Sequence, residues 1–175
     1  LLQYHPEAAK EKAENGALPL HWAVAKGASE AVVAALLQYH PESAKEKDED
    51  GRLPLHLAVA KGAWEAVVAA LLQYHPEAAK EKAENGALPL HWAVAKGAWD
   101  VAKGASEAAV AALVQAYPEA AKEKDEDGQL PLHLVGSKGA SELVALAADM
   151  RVRLDTSEAV VAALLQAYPE AAKEK

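Results

Sequence analysis

Histidine is the residue type whose placement most invites chemistry in this chain. The tetrapeptide LPLH begins at Leu18, Leu53, Leu88 and Leu130, so His21, His56, His91 and His133 recur at spacings of 35, 35 and 42 residues. Neutral imidazole binds metals and moves protons, and a row of rings could suggest zinc. The spacing argues otherwise. If each ring rides on its own helix, neighbours stand about 8–10 Å apart, whereas Zn–N bonds are about 2 Å long. Two rungs of such a ladder cannot share one ion. The simpler role is structural, with each ring bonding the turn backbone near a helix start. His5, His40 and His75 each precede a proline and read as solvated loop residues.

Other candidate motifs are equally incomplete. DEDG at Asp48–Gly51 and Asp125–Gly128 resembles the middle of a calcium loop. That loop needs a bidentate acid about six residues past its glycine, and Leu57 and Leu134 occupy those positions. Gly136-Ser137-Lys138-Gly139 varies the recurring AVAKG and matches no phosphate-binding loop. Neither GxSxG nor HExxH is present, and there is no cysteine to act as nucleophile or thiolate ligand. No catalytic, metal or cofactor residues are therefore expected, and the chain is not expected to be an enzyme.

Composition narrows the partners. The net charge is −8, without a basic face of the kind nucleic-acid binders carry. No apolar run reaches the roughly 18 residues that would suggest a membrane span. No signal peptide is visible, although the sequence starts at Leu1 without Met, so the true N-terminus is expected to lie upstream. An intracellular, cytoplasmic location is the expectation. At 51% hydrophobic and 25% charged the chain should fold. It has no Phe, one Met and abundant Ala, which suits thin, close packing of helices.

What positions the histidines is a repeat. Blocks ending in PEAAKEK or PESAKEK divide residues 1–175 into a single array: a leading piece 1–12, then units 13–47, 48–82, 83–124 and 125–175. Residues 1–28 and 71–98 are identical at all 28 positions. Openings alternate between AENG and DEDG, so the copying unit is a pair. Two insertions interrupt the period. Unit three carries seven extra residues, Trp99–Ala105, which copy what precedes them. At about 100° per residue they add nearly two whole turns, so the following helix stays in phase. The segment is expected to protrude at the reversal between helices; the alternative is that it extends the first helix. Unit four carries sixteen, Ser141–Thr156, the least repeat-like part of the chain. The leading piece is expected to be the tail of a helix from a preceding unit.

Each unit reads as two helices. Asp and Gly build the turn, and Pro54 after Leu53 suits a first helical position. A short helix should run from there to Gly62, a natural stop. In unit one Ser29 is the expected N-cap of a second helix, with Glu30 near its positive end. Val32, Val33, Leu36 and Leu37 form the expected apolar stripe. That helix ends before Pro41, and the AKEK run reads as a solvated exit loop. In unit two Trp64 replaces the serine cap. Such a pair cannot bury its apolar face alone, so neighbouring pairs must stack.

The unit DEDGRLPLHLAVAKGAWEAVVAALLQYHPEAAKEK resembles the ankyrin repeat, roughly DxxGxTPLHxAxxxGxxxxVxxLLxxGA. The resemblance implies an all-α, ankyrin-type helix-pair solenoid with short finger loops. Leu stands where the family has Thr before Pro, which removes a hydroxyl that caps the first helix and supports the His. The resemblance also implies a protein-binding module whose finger tips and first helices form a concave face. By position, the tips are Glu14 and Asn15, then Glu49, Asp50 and Arg52, then Glu84 and Asn85, then Glu126, Asp127 and Gln129. The first helices add Lys26, Lys61, Lys96 and Lys138, beside Trp22 and Trp92. A row of lysines implies an acidic protein partner. The unpolar ends imply either that the array continues in both directions or that copies associate end to end, and the uniformity of the repeats implies, as the alternative function, a spacer or designed scaffold.

Overall fold

The structure, a computed structural model, describes residues 6–62, 65–97 and 105–134, together with 163, 166 and 167. Six helices run through them: α1 (Pro19–Ala25), α2 (Glu30–Tyr39), α3 (Pro54–Ala60), α4 (Glu65–Tyr74), α5 (Pro89–Gly97) and α6 (Ala105–Ala116). A further helical turn spans 131–134. No strand occurs among the described residues.

The first helix of each unit starts as its sequence demands. Leu18 and Leu53 are extended N-caps, at φ −81° and −79°, and proline takes the first helical position, where a missing N–H costs nothing. With leucine at the N-cap no side chain there caps the helix, and only the reciprocal half of a capping box is made. The N–H of Leu18 donates to Nδ1 of His21 at 3.0 Å, and Leu53 donates likewise to His56 at 3.2 Å. The imidazole at the third helical position thus does the work that Glu does in a capping box. Helix α1 ends in a glycine cap: Gly27 adopts φ 71°, its N–H reaches Val24 O at 3.1 Å, and Ala28 N–H reaches Ala23 O at 2.9 Å.

The second helix departs from expectation in two details. Ser29 is the N-cap of α2, yet its hydroxyl makes no capping bond; only its carbonyl serves, accepting from Val32 and Val33. And Val32 does not belong to the buried stripe, which is Val33, Leu36 and Leu37. The exit loops are more ordered than a solvated run would be. Pro41–Ala44, Pro76–Lys80 and Pro118–Lys122 are 3-10 turns that bury Ala44, Ala78, Ala79, Ala120 and Ala121. Alanine fits there because a larger side chain would hold neighbouring units apart. Trp64 lies outside the described residues.

The helices stack in two layers. Helices α1, α3 and α5 pack in succession, as do α2, α4 and α6, and each pair also packs on itself. One continuous core results, in which Leu20, Leu55 and Leu90 recur with Val24, Val59 and Val94. Burying each such leucine contributes about 1.5–3 kcal/mol. In unit three α5 includes Lys96 and Gly97, whereas α1 stops at Ala25. Helix α6 then begins at Ala105 and packs on α4 and α5. The rest of the 99–105 insertion, and all of 141–156, lie outside the described residues.

Candidate functional site

The finger loops are built by their own first residues. In unit two Asp48 N–H bonds Arg52 O at 3.0 Å, and Asp48 Oδ1 accepts the N–H of Arg52 at 2.8 Å. Asp125 repeats this on Gln129 at 2.8 Å. The first acid of each DEDG is therefore occupied in closing the turn, and Asp48, almost wholly buried, also holds the Arg52 guanidinium at 2.8 Å. Adjacent fingers are joined by a backbone rung. Glu49 N–H donates to Asn15 O at 3.2 Å, Glu84 to Asp50 O at 3.2 Å, and Glu126 to Asn85 O at 3.3 Å.

This geometry exposes the tips. Glu14, Glu49, Asp50, Glu84, Asn85, Glu126 and Asp127 are exposed, while Asn15, Arg52 and Gln129 are half-buried. Arg52 is ion-paired to both Asp48 and Asp50, so the rim presents mostly negative charge. Among the described residues no three His, Asp or Glu side chains converge as a metal site would require.

The histidines lie inside the stack. His21, His56 and His91 are buried. Because Nδ1 accepts a backbone N–H, the neutral ring carries its proton on Nε2. His21 Nε2 faces the carbonyls of Glu46 at 3.1 Å and Arg52 at 3.3 Å, and His91 Nε2 faces Gln129 O at 3.2 Å. Each of these rings thus ties its own helix start to the next finger. Burial lowers the pKa of His21 and His91, and pushes that of His56 down to about 4. Nε2 of His56 has no partner at bonding geometry. Of the proline-preceding histidines, His40 and His75 are half-buried rather than solvated; His5 lies outside the described residues.

The AKEK runs turn out to link units. Lys12 pairs with Glu46 at 2.8 Å, Lys47 with Glu81 at 2.8 Å and Lys82 with Glu123 at 2.9 Å, each joining successive exit loops. A second set pairs within each loop: Lys10–Glu7, Lys45–Glu42, Lys80–Glu77 and Lys122–Glu119. Sequence reading saw only alternating sign. The signal for the ladder was the fixed repeat itself, which sets each lysine opposite the next unit's glutamate.

Lys26 and Lys61 differ from these. Both are exposed at the C-caps of α1 and α3, beside helix ends that favour positive charge, and neither has an ion-pair partner among the described residues. Lys96 sits at the corresponding place in α5, and Lys138 lies outside the described residues. Trp22 is exposed, whereas Trp92 is half-buried with its ring perpendicular to His56, centroids 6.1 Å apart. Among the described residues no helix is long and apolar enough to cross a membrane.

The model of one protein family, described as ankyrin repeats (3 copies), matches residues 1–79 and again 20–104. No curated protein sequence matches the chain.

Proposed function

The chain belongs to the ankyrin-repeat family, whose repeats are generally protein–protein interaction modules, and from that premise we propose that it binds an acidic protein partner on its concave face. In this reading the finger tips orient the partner and the row Lys26, Lys61, Lys96 and Lys138 supplies the attraction. One observation carries it. The exit-loop lysines with described side chains are engaged in ion pairs or other contacts, but Lys26 and Lys61 are exposed and have no ion-pair partner among the described residues. Successive stacked helices set such charges about 8–10 Å apart, a spacing that an acidic surface can span. The exposed acids Glu14, Glu49, Glu84 and Glu126 would repel an acidic chain that approached out of register, which favours one orientation. Trp92 contributes little to such a face, because its ring packs against His56.

The test is capture from cell extract by the full chain and by a Lys26→Glu, Lys61→Glu, Lys96→Glu variant with an unchanged circular dichroism spectrum. A partner should be retained by the first, lost by the second, and released as salt rises. Equal capture by the variant would remove the lysine row from the site. Retention of no protein by either would favour a spacer role, which the 28-residue identity between 1–28 and 71–98 also suits.

A further inference from the structure

The sequence holds two asparagines, Asn15 and Asn85, and each is followed by glycine. Both stand third in an AENG finger, where the DEDG fingers carry Asp50 and Asp127. An asparagine before glycine reacts with its own backbone. The glycine nitrogen, with no Cβ beside it to block the approach, attacks the side-chain carbonyl carbon and closes a cyclic imide. The finger brings the two reacting groups together. Ala87 N–H donates to Asn85 Oδ1 at 3.3 Å, and Ala17 N–H donates to Asn15 Oδ1 at 3.3 Å. The ring closed by that hydrogen bond contains both Asn85 Cγ and the Gly86 nitrogen, the atoms that must join. The same donor faces the oxygen on which negative charge builds during the attack. Asn85 is exposed and Asn15 half-buried, so neither is sealed from water.

The stack restrains the same reaction. The glycine nitrogen attacks only after giving up its proton, and that N–H is engaged: Gly86 donates to Ala83 O at 3.0 Å, and Gly16 to Ala13 O at 2.9 Å. The peptide plane that must turn as the imide closes is also held. Its carbonyl at Asn85 accepts the N–H of Glu126 at 3.3 Å, and at Asn15 that of Glu49 at 3.2 Å. The first bond belongs to the finger itself and the second to the next finger. Both are released together only when a finger opens from its neighbour, a local event that needs no unfolding of the array. In the DEDG fingers the third position already carries a carboxylate, a poor electrophile, so reactive and unreactive fingers alternate.

We infer that Asn15 and Asn85 are latent modification sites, converted by water to aspartate or isoaspartate when their fingers open from the stack. The glycine nitrogen loses its proton to solvent and bonds to Cγ. The side-chain nitrogen leaves as ammonia, taking its proton from solvent. Water then opens the imide at one of its two carbonyls, so that overall one amide and one water become a carboxylate and an ammonium ion, with nothing oxidised or reduced. Opening at Cγ yields aspartate and gives the AENG tip the acid that a DEDG tip has. Opening at the main-chain carbonyl yields isoaspartate. The backbone then runs through Cγ with an added methylene, and the carbonyl that received the next finger's N–H becomes a free carboxylate. Such a finger cannot remake its rung, so the modification records the opening that allowed it. These sites are separate from the lysine row and do not depend on the partner reading.

Residues 13–28 and 83–98 are identical, so the two sites are followed one at a time, Asn85 in an Asn15→Gln chain and Asn15 in an Asn85→Gln chain. Intact mass after timed incubation at mildly alkaline pH reads the exchange of amide for acid, and an enzymatic isoaspartate assay reads the isomer. Each site should convert on the order of tenfold more slowly in the folded chain than in urea, the scale that two ordinary hydrogen bonds supply. Glu126→Pro removes the N–H that holds the Asn85 carbonyl. It should speed Asn85 severalfold and leave Asn15 at its parent rate, and Glu49→Pro should do the reverse, in each case with the circular dichroism spectrum of the parent. The comparison of folded with unfolded chain needs neither proline variant. Folded chain converting as fast as unfolded, no conversion in urea, or a folded Glu126→Pro variant that speeds both sites or neither would each overturn the proposal.

Discussion

The buried histidine is the residue on which each step of the stack turns. Its Nδ1 must be bare to accept the N–H of the leucine N-cap. Protonation would put a second donor opposite that N–H, in a site where burial already penalises charge. The consequence is acid lability. The unfolded rings take up protons as pH falls below 6.5, while His56 in the fold resists until about pH 4. A folded pKa depressed in this way leaves stability unaffected above pH 6.5 and lowers it progressively between there and about 4. For His56 alone the loss should be on the order of 3 kcal/mol, and His21 and His91, shifted in the same direction, add to it. Urea midpoints at pH 7.5, 6 and 4.5 measure the slope, which a His56→Gln variant should flatten. Glu81, held ionised by the Lys47 hydrogen bond, loses that bond only at lower pH, so the parent–variant difference isolates the imidazole.

At the scale of the element, the finger loop depends on glycine for two separable reasons. Gly86 and Gly128 both have positive φ, 69° and 72°, so any side chain at either strains the backbone by about 1–2 kcal/mol. Their surroundings differ. A Cβ on Gly86 would lie 2.9 Å from Glu126 Cγ and 3.0 Å from Glu126 N, the atom that makes the rung to Asn85. A Cβ on Gly128 would meet nothing within 4 Å among the described residues. Gly86→Ala should therefore lower the melting temperature clearly more than Gly128→Ala, because it also pushes the next finger off its rung. Equal effects would show that conformation alone, and not the close approach of fingers, selects glycine here.

At the scale of the whole molecule, charge and apolar stacking contribute unequally. The ladder Lys12–Glu46, Lys47–Glu81 and Lys82–Glu123 runs along the array, but its side chains are 38–49% exposed. Exposed pairs of this kind are each worth about 0–1 kcal/mol and are screened by salt. Salt also relieves the self-repulsion of a chain with net charge −8. The two effects oppose each other, so the unfolding free energy should change by no more than about 1 kcal/mol between low salt and about 1 M NaCl. A steep loss in urea titrations at high salt would mean that the ladder holds the array together. Stability is expected instead from the recurrent Leu and Val core, which is a nearest-neighbour property of a solenoid.

Local rules written in the sequence were enough for the helix pairs: proline after leucine at Pro19 and Pro54, glycine at Gly27 and Gly62, and proline after the second helix at Pro41 each act within a turn of themselves. The LPLH period likewise made the stack and its structural histidines legible, since a regular array repeats whatever one unit does. Three things were decided only by the tertiary structure. The lysine–glutamate ladder requires two exit loops to lie side by side, and a charge run in sequence does not say what it faces. The idle hydroxyl of Ser29 shows that a good N-cap residue need not cap. The contrast between Val32 and Val67 is the clearest case, because the identical decapeptides α2 and α4 leave the first exposed and bury the second. No property of the segment can distinguish them; burial belongs to the pair of surfaces in contact, and it exists only once a neighbouring unit has packed.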